Sequence, residues 1–121
     1  QSAFSLLKDG RYPQAAEAFR RFLEEHPDSR YADNAQYWLA EANYVSREFE
    51  TALEAFRKVV EQYPESSKAP DARLKIGYSH YELEQWDRAR EALQRVIDDH
   101  PDSGAAELAR QRLQRMRSEG R

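Results

Sequence analysis

At 121 residues the chain is sized for one compact unit, and its 19 basic against 22 acidic side chains leave a net charge of −3. That balance speaks against a nucleic-acid partner, which calls for a basic face, and no apolar run approaches the roughly 18 residues that a membrane span needs. No signal peptide is visible, and the absence of cysteine is compatible with an oxidising compartment.

Ala3 and Leu7 hold inner positions of a helix already under way at Gln1. We therefore expect a truncated first helix, with the chain an excised domain or processed product. Asp9-Gly10-Arg11 supplies a turn with the glycine favoured at a helix C-terminus. Tyr12, Ala15, Ala18, Phe19, Phe22 and Leu23 then step by three or four residues, the apolar stripe of a second helix. Pro27 ends it by driving His26 out of helical geometry.

Everything then recurs 37 residues on. Pro27 returns as Pro64 and Pro101, and His26-Pro27-Asp28-Ser29 as Tyr63-Pro64-Glu65-Ser66 and His100-Pro101-Asp102-Ser103. The stripe returns as Phe49, Ala52, Ala55 and Phe56, then as Trp86, Ala89, Ala92 and Leu93. Ala32, Ala69 and Ala106 also match, as do Ala35, Ala72 and Ala109. The spacing predicts helices over 31–46, 49–62, 68–83 and 86–99. Asp-Ser and Glu-Ser pairs after each proline are good cap and turn residues for the helix that follows. A fixed period in this range marks stacked units that present surface to partners. The alanines let paired helices approach closely, and the aromatics Tyr12, Phe49 and Trp86 are expected to plug the open end of each pair.

A last stripe of Ala105, Ala106, Leu108, Ala109, Leu113 and Met116 has no second helix after it. Its other side is Arg110, Gln111, Arg112, Gln114, Arg115 and Arg117. A terminal unit needs a polar outer side, so 103–117 reads as a capping helix.

No catalytic constellation emerges. His80 has only Glu84 at helical spacing, too few ligands for zinc. No nucleophile–base pair and no Gly-rich phosphate loop can be nominated. The expectation is a non-enzymatic chain without metal or cofactor.

The small residues Ala3, Ala40 and Gly77, with Ala15, Ala52, Ala89, the residues Phe19, Phe56, Leu93 and the three prolines, resemble the tetratricopeptide repeat. The period here is longer than the usual ~34 residues of that motif, which suits a longer loop around Asp28-Ser29-Arg30. The resemblance implies an all-α, right-handed α-solenoid: three helix-hairpin repeats at about 1–27, 28–64 and 65–101, the first truncated, plus the cap, in one domain over 1–121.

In this motif the first helix of each pair lines the concave face. The candidate partner-binding residues are then Phe4, Asn34, Tyr37, Trp38, Glu41, Asp71, Leu74, Lys75 and Tyr78, with Leu108 extending the row. Leu7, Tyr44 and Tyr81 recur at one position, so Tyr44 and Tyr81 are expected to pack inside while Tyr37 and Tyr78 meet the ligand. Motif members that grip acidic chaperone C-termini use a basic clamp. Phe4, Trp38 and Asp71 stand there instead, with only Lys75 basic, so the groove is expected to prefer an apolar or mixed peptide.

Three stretches narrow the resemblance. Tyr63-Pro64-Glu65-Ser66 and its repeats, Asn34-Ala35-Gln36-Tyr37-Trp38-Leu39, and Lys68-Ala69-Pro70-Asp71-Ala72-Arg73-Leu74-Lys75-Ile76-Gly77 look like the C-terminal domain of the Tol-Pal system protein YbgF / cell division coordinator CpoB family. That resemblance implies a periplasmic adaptor, trimeric through an upstream coiled coil. It implies contact with TolA, a link to a bifunctional penicillin-binding protein, and coordination of peptidoglycan synthesis with outer-membrane constriction. The domain alone has no heptad seam and is expected to be monomeric or weakly associating. A subunit of outer-membrane protein assembly machinery is the alternative, since lipoproteins there carry similar repeats.

Overall fold

The computed structural model describes residues 2–121; Gln1, expected inside the first helix, lies outside the described residues. Seven helices follow one another among them, with no strand: α1 (Ala3–Lys8), α2 (Tyr12–Glu25), α3 (Ala32–Val45), α4 (Phe49–Gln62), α5 (Ala69–Glu82), α6 (Trp86–Asp99) and α7 (Gly104–Ser118). Each packs on the next, and α5 also touches α7. Successive antiparallel pairs therefore stack into an α-solenoid. The expected helices at 49–62 and 86–99 coincide with α4 and α6, and the others differ by a single residue at either end.

The alanines do what their size requires. Ala15, Ala52 and Ala89 are fully buried, as is Ala40. Gly77 stands at the corresponding point of α5, and a Cβ there would lie 2.7 Å from Leu93 Cδ2. Phe19, Phe56 and Leu93 fill the layer between the helices of a pair, each 2% exposed or less. Tyr12, Phe49 and Trp86 are half-buried at the pair ends, where Phe49 meets Tyr44 edge-on at 5.3 Å and Trp86 meets Tyr81 at 5.2 Å.

Two kinds of turn alternate. After each odd helix the chain enters the left-handed region, at Gly10 (φ 76°), Arg47 (φ 64°), Glu84 (φ 59°) and Gly120 (φ 75°). Paired bonds close each turn: Gly10 N–H to Leu7 O with Arg11 N–H to Leu6 O, and Glu84 N–H to Tyr81 O with Gln85 N–H to His80 O. This is the Schellman pattern, used at Arg47 and Glu84 without glycine. After each even helix His26, Tyr63 or His100 leaves helical geometry (φ −135°, ψ 59° at His26) just before proline, and its carbonyl accepts from the N–H of Ser29, Ser66 or Ser103.

The serines after the prolines divide between the cap and turn roles expected of them. Ser103 Oγ accepts from Ala106 N–H and caps α7. Ser29 and Ser66 instead accept from Tyr31 N–H and Lys68 N–H, so they build the loop before α3 and α5 rather than cap it. The longer loop places those serines too early to reach the helix.

Candidate functional site

Residues 34, 38, 41 and 45 of α3 share one stripe by helical periodicity, as do 71, 75, 78 and 82 of α5 and 108, 112, 115 and 119 of α7. Side-chain contacts join these stripes, and Phe4 of α1, into one continuous inner face. Phe4 packs edge-on against Trp38 at 5.9 Å. Lys75 Nζ donates to Glu41 Oε1 at 2.8 Å across α3 and α5. The Arg112 guanidinium of α7 lies 4.0 Å above the Tyr78 ring of α5.

The rings on this face are covered by cations. Lys68 Nζ sits 4.9 Å from the Trp38 ring and 5.0 Å from the Tyr37 ring. Lys75 Nζ is 4.6 Å above Tyr44, and Arg112 is also 4.7 Å above Tyr81. A cation over an aromatic face is drawn by the ring quadrupole, and more strongly when partly desolvated. The surface thus offers ammonium and guanidinium groups and ring edges. The Lys75–Glu41 pair is about four-fifths withdrawn from water on both partners (20% and 18% exposed), so salt screens it less than it screens the exposed pairs.

Phenol ionisation registers this burial. Removal from water, reinforced by the Glu82 carboxylate, pushes Tyr44 up to about 12. Burial and then the charges of Glu41 and Asp71 raise Tyr37 further. Burial raises Tyr78, opposed by Arg112. Tyr81 is raised first by the bond its hydroxyl donates to Glu119 Oε1 at 2.6 Å.

The expected site residues separate into three groups. Phe4 is exposed at 53%, and Asn34, Trp38, Glu41, Asp71, Lys75 and Tyr78 are half-buried on the inner face. Leu74 is 3% exposed in the α5–α6–α7 core, so it offers no contact surface. Tyr37, expected to meet the ligand, is instead 7% exposed and packs on Phe56 at 5.6 Å. Tyr44 packs inward as expected, its ring edge-on to Phe49 at 5.3 Å and to Phe56 at 6.4 Å, and is half-buried beside the inner stripe. Tyr81 is buried as expected.

A further correction concerns α7. Arg112 and Arg115, read as the polar outer side of the cap, lie over Tyr78 and Tyr81 instead. Leu108, expected to extend the inner row, is 45% exposed at its end. Val45, which the sequence reading passed over, is 38% exposed on the same stripe.

A second apolar cleft, of about 770 Å³, opens between α1, α2 and α3 around Phe19, Phe22 and Tyr31. In the next pair the corresponding space is filled by Tyr37 on Phe56 and by Gln36, whose amide donates to Ala55 O at 3.0 Å. Among the described residues no group of three metal-ligating side chains converges, and no helix is long and apolar enough to cross a membrane.

A tetratricopeptide-repeat family model matches residues 3–67, and a second one matches residues 71–103. Over 49 residues the chain is 43% identical to the cell division coordinator CpoB of Pseudomonas putida, a match covering 40% of this chain and 18% of that protein. Over 44 residues it is 43% identical to the cell division coordinator CpoB of Escherichia coli, covering 36% of this chain and 17% of that protein. The match thus spans less than a fifth of either relative.

Proposed function

Because this chain belongs to the tetratricopeptide-repeat family, we propose that it is a non-enzymatic adaptor whose inner face holds a segment of a partner polypeptide. One observation carries this reading. Of the four exposed large apolar side chains among the described residues, three lie on the single inner stripe: Phe4, Val45 and Leu108. Apolar anchors set among polar and charged groups are the pattern of a protein-binding surface. The alternation of Lys68, Glu41–Lys75, Asp71 and Arg112 between them suits an amphipathic segment carrying both charge signs.

By likeness to the CpoB relatives, the setting is the periplasm of a Gram-negative cell and the Tol-Pal envelope system. TolA is the partner, and the role is to coordinate peptidoglycan synthesis, through a bifunctional penicillin-binding protein, with outer-membrane constriction at division. The domain itself is monomeric or weakly associating, and trimerisation belongs to a coiled coil elsewhere in the protein.

The test uses the two tryptophans. In Trp86→Phe the only indole left is Trp38, on the inner face. Titration with the purified periplasmic part of TolA is expected to shift Trp38 emission saturably. Leu108→Ala with Val45→Ala removes two exposed anchors that belong to no core cluster and is expected to weaken binding by roughly tenfold or more, with unchanged helicity. Equal binding by wild type and the double variant would discard the inner face as the site.

A further inference from the structure

Arg73, Ile76 and His80 lie on the side of α5 turned away from the inner stripe, as helical spacing from Asp71, Lys75 and Tyr78 requires. They floor a cleft of about 320 Å³ whose walls are α4 and α6. Four arginines converge on it: Arg57 from α4, Arg73 from the floor, and Arg88 and Arg95 from α6, with Glu91 the one carboxylate. None of these arginines forms an ion pair, whereas Arg20, Arg90, Arg110 and Arg115 each hold a carboxylate. The Nε of Arg73 is buried with no hydrogen-bond acceptor.

Stacking does not require this arrangement. One repeat earlier the position of Arg73 is Gln36, which spends its donor on Ala55 O, and the positions of Arg88 and Arg95 are Thr51 and Lys58. A chain of net charge −3 has gathered four unpaired guanidiniums at one helix junction, one with a buried donor lacking a partner. A buried polar group without a partner calls for an explanation, and a guanidinium fork matches the two oxygens of a carboxylate.

We infer that this outer cleft is a second binding site, taking an acidic peptide segment in which Asp or Glu alternates with an apolar residue. The apolar requirement comes from Val60 and Ile76, which line the cleft between the arginines. Inorganic phosphate gives those side chains nothing to pack on. A recessed cleft between two helix walls also reaches a bilayer surface poorly, whereas a side chain from an extended peptide enters it. The site is separate from the inner face and does not depend on the function proposed for that face.

The experiment titrates the chain with a fluorescent, end-blocked peptide of alternating glutamate and leucine, with its glutamine–leucine analogue, with inorganic phosphate and with vesicles containing phosphatidylglycerol. The acidic peptide is expected to bind saturably, to shift the Arg73 Nε–Hε resonance, and to weaken with added salt. Arg57→Gln with Arg95→Gln alters two exposed side chains, so folding is retained. It is expected to lower the affinity roughly tenfold or more while leaving the helical circular dichroism and the thermal midpoint unchanged. The inference is overturned if the double variant binds as wild type or the neutral analogue binds equally. Vesicles or phosphate moving the Arg73 resonance when the peptide does not would overturn it as well.

Discussion

Gly77→Ala sets two opposing effects against each other in one atom. Gly77 lies in mid-helix, where alanine gains about 0.8–1.0 kcal/mol in helix propensity. The added Cβ would sit 2.7 Å from Leu93 Cδ2 and 2.8 Å from Leu93 Cγ, well inside the roughly 3.5–4.0 Å of a carbon contact. Leu93 is fully buried in a cluster with Leu74, Val96 and Met116 and has no room to retreat. Such overpacking costs about 1–3 kcal/mol, so the net expectation is a loss of about 1 kcal/mol. The decisive measurement is a double-mutant cycle with Leu93→Ala, by urea unfolding followed through helical circular dichroism. Leu93→Ala alone costs about 2–5 kcal/mol but removes the clashing atoms. In that background Gly77→Ala reverses sign and stabilises by about 1 kcal/mol, a coupling of about 2 kcal/mol between neighbours. If Gly77→Ala stabilises both backgrounds equally, the close approach of α5 and α6 does not govern this site.

Three other expectations follow from the same geometry. Glu84 holds a left-handed conformation at φ 59°, so Glu84→Gly is expected to raise stability by about 0.5–1 kcal/mol, while Gly10→Ala, at φ 76°, lowers it by about 1 kcal/mol; thermal unfolding reads both. Tyr44 is pushed up to about 12 from an ordinary 10.0, so between these values the unfolded chain releases a proton that the folded chain keeps. Its contribution is intact below pH 10 and lost as pH rises toward 12, which urea midpoints over that range and phenolate absorbance check together. Lys75→Met leaves Glu41 largely buried without its cation and is expected to cost about 1–3 kcal/mol, more than Arg20→Met, whose pair with Glu17 is half-exposed.

The helices were legible because two signals agreed: the three-or-four spacing of apolar residues and a proline after every second helix. The left-handed turn was legible only at Gly10, since Arg47 and Glu84 announce nothing; their conformation is imposed by the paired bonds that close each helix end. Recurrence with Leu7 marked Tyr44 and Tyr81 as packing residues, and both rings do pack on their clusters. It carried no signal for Tyr37, whose ring turns onto Phe56. The cations over the rings could not be read at all. Lys68, Lys75 and Arg112 reach Trp38, Tyr44 and Tyr78 from about one repeat further along the chain, a separation that local periodicity does not register. The outer arginines were overlooked because each, taken singly, resembles an ordinary solvated side chain.

The two sides of α5 differ in what a ligand must displace. On the inner side Lys75 bridges to Glu41 of α3, and Tyr78 receives Arg112 of α7, so these links tie neighbouring pairs together across the face. A partner that seats only on Phe4, Val45 and Leu108 leaves them closed, and its affinity should be nearly insensitive to salt. A partner that takes Lys75 from Glu41 opens the tie between the second and third pairs, and its affinity should fall with ionic strength. On the outer side no such exchange arises, because Arg57, Arg73, Arg88 and Arg95 hold no carboxylate to be displaced. Charge there adds directly to binding, so the salt dependence of the outer site is expected to exceed that of an apolar-anchored inner site. Comparing the two slopes in one chain therefore distinguishes a ligand that rearranges the solenoid from one that merely rests on it.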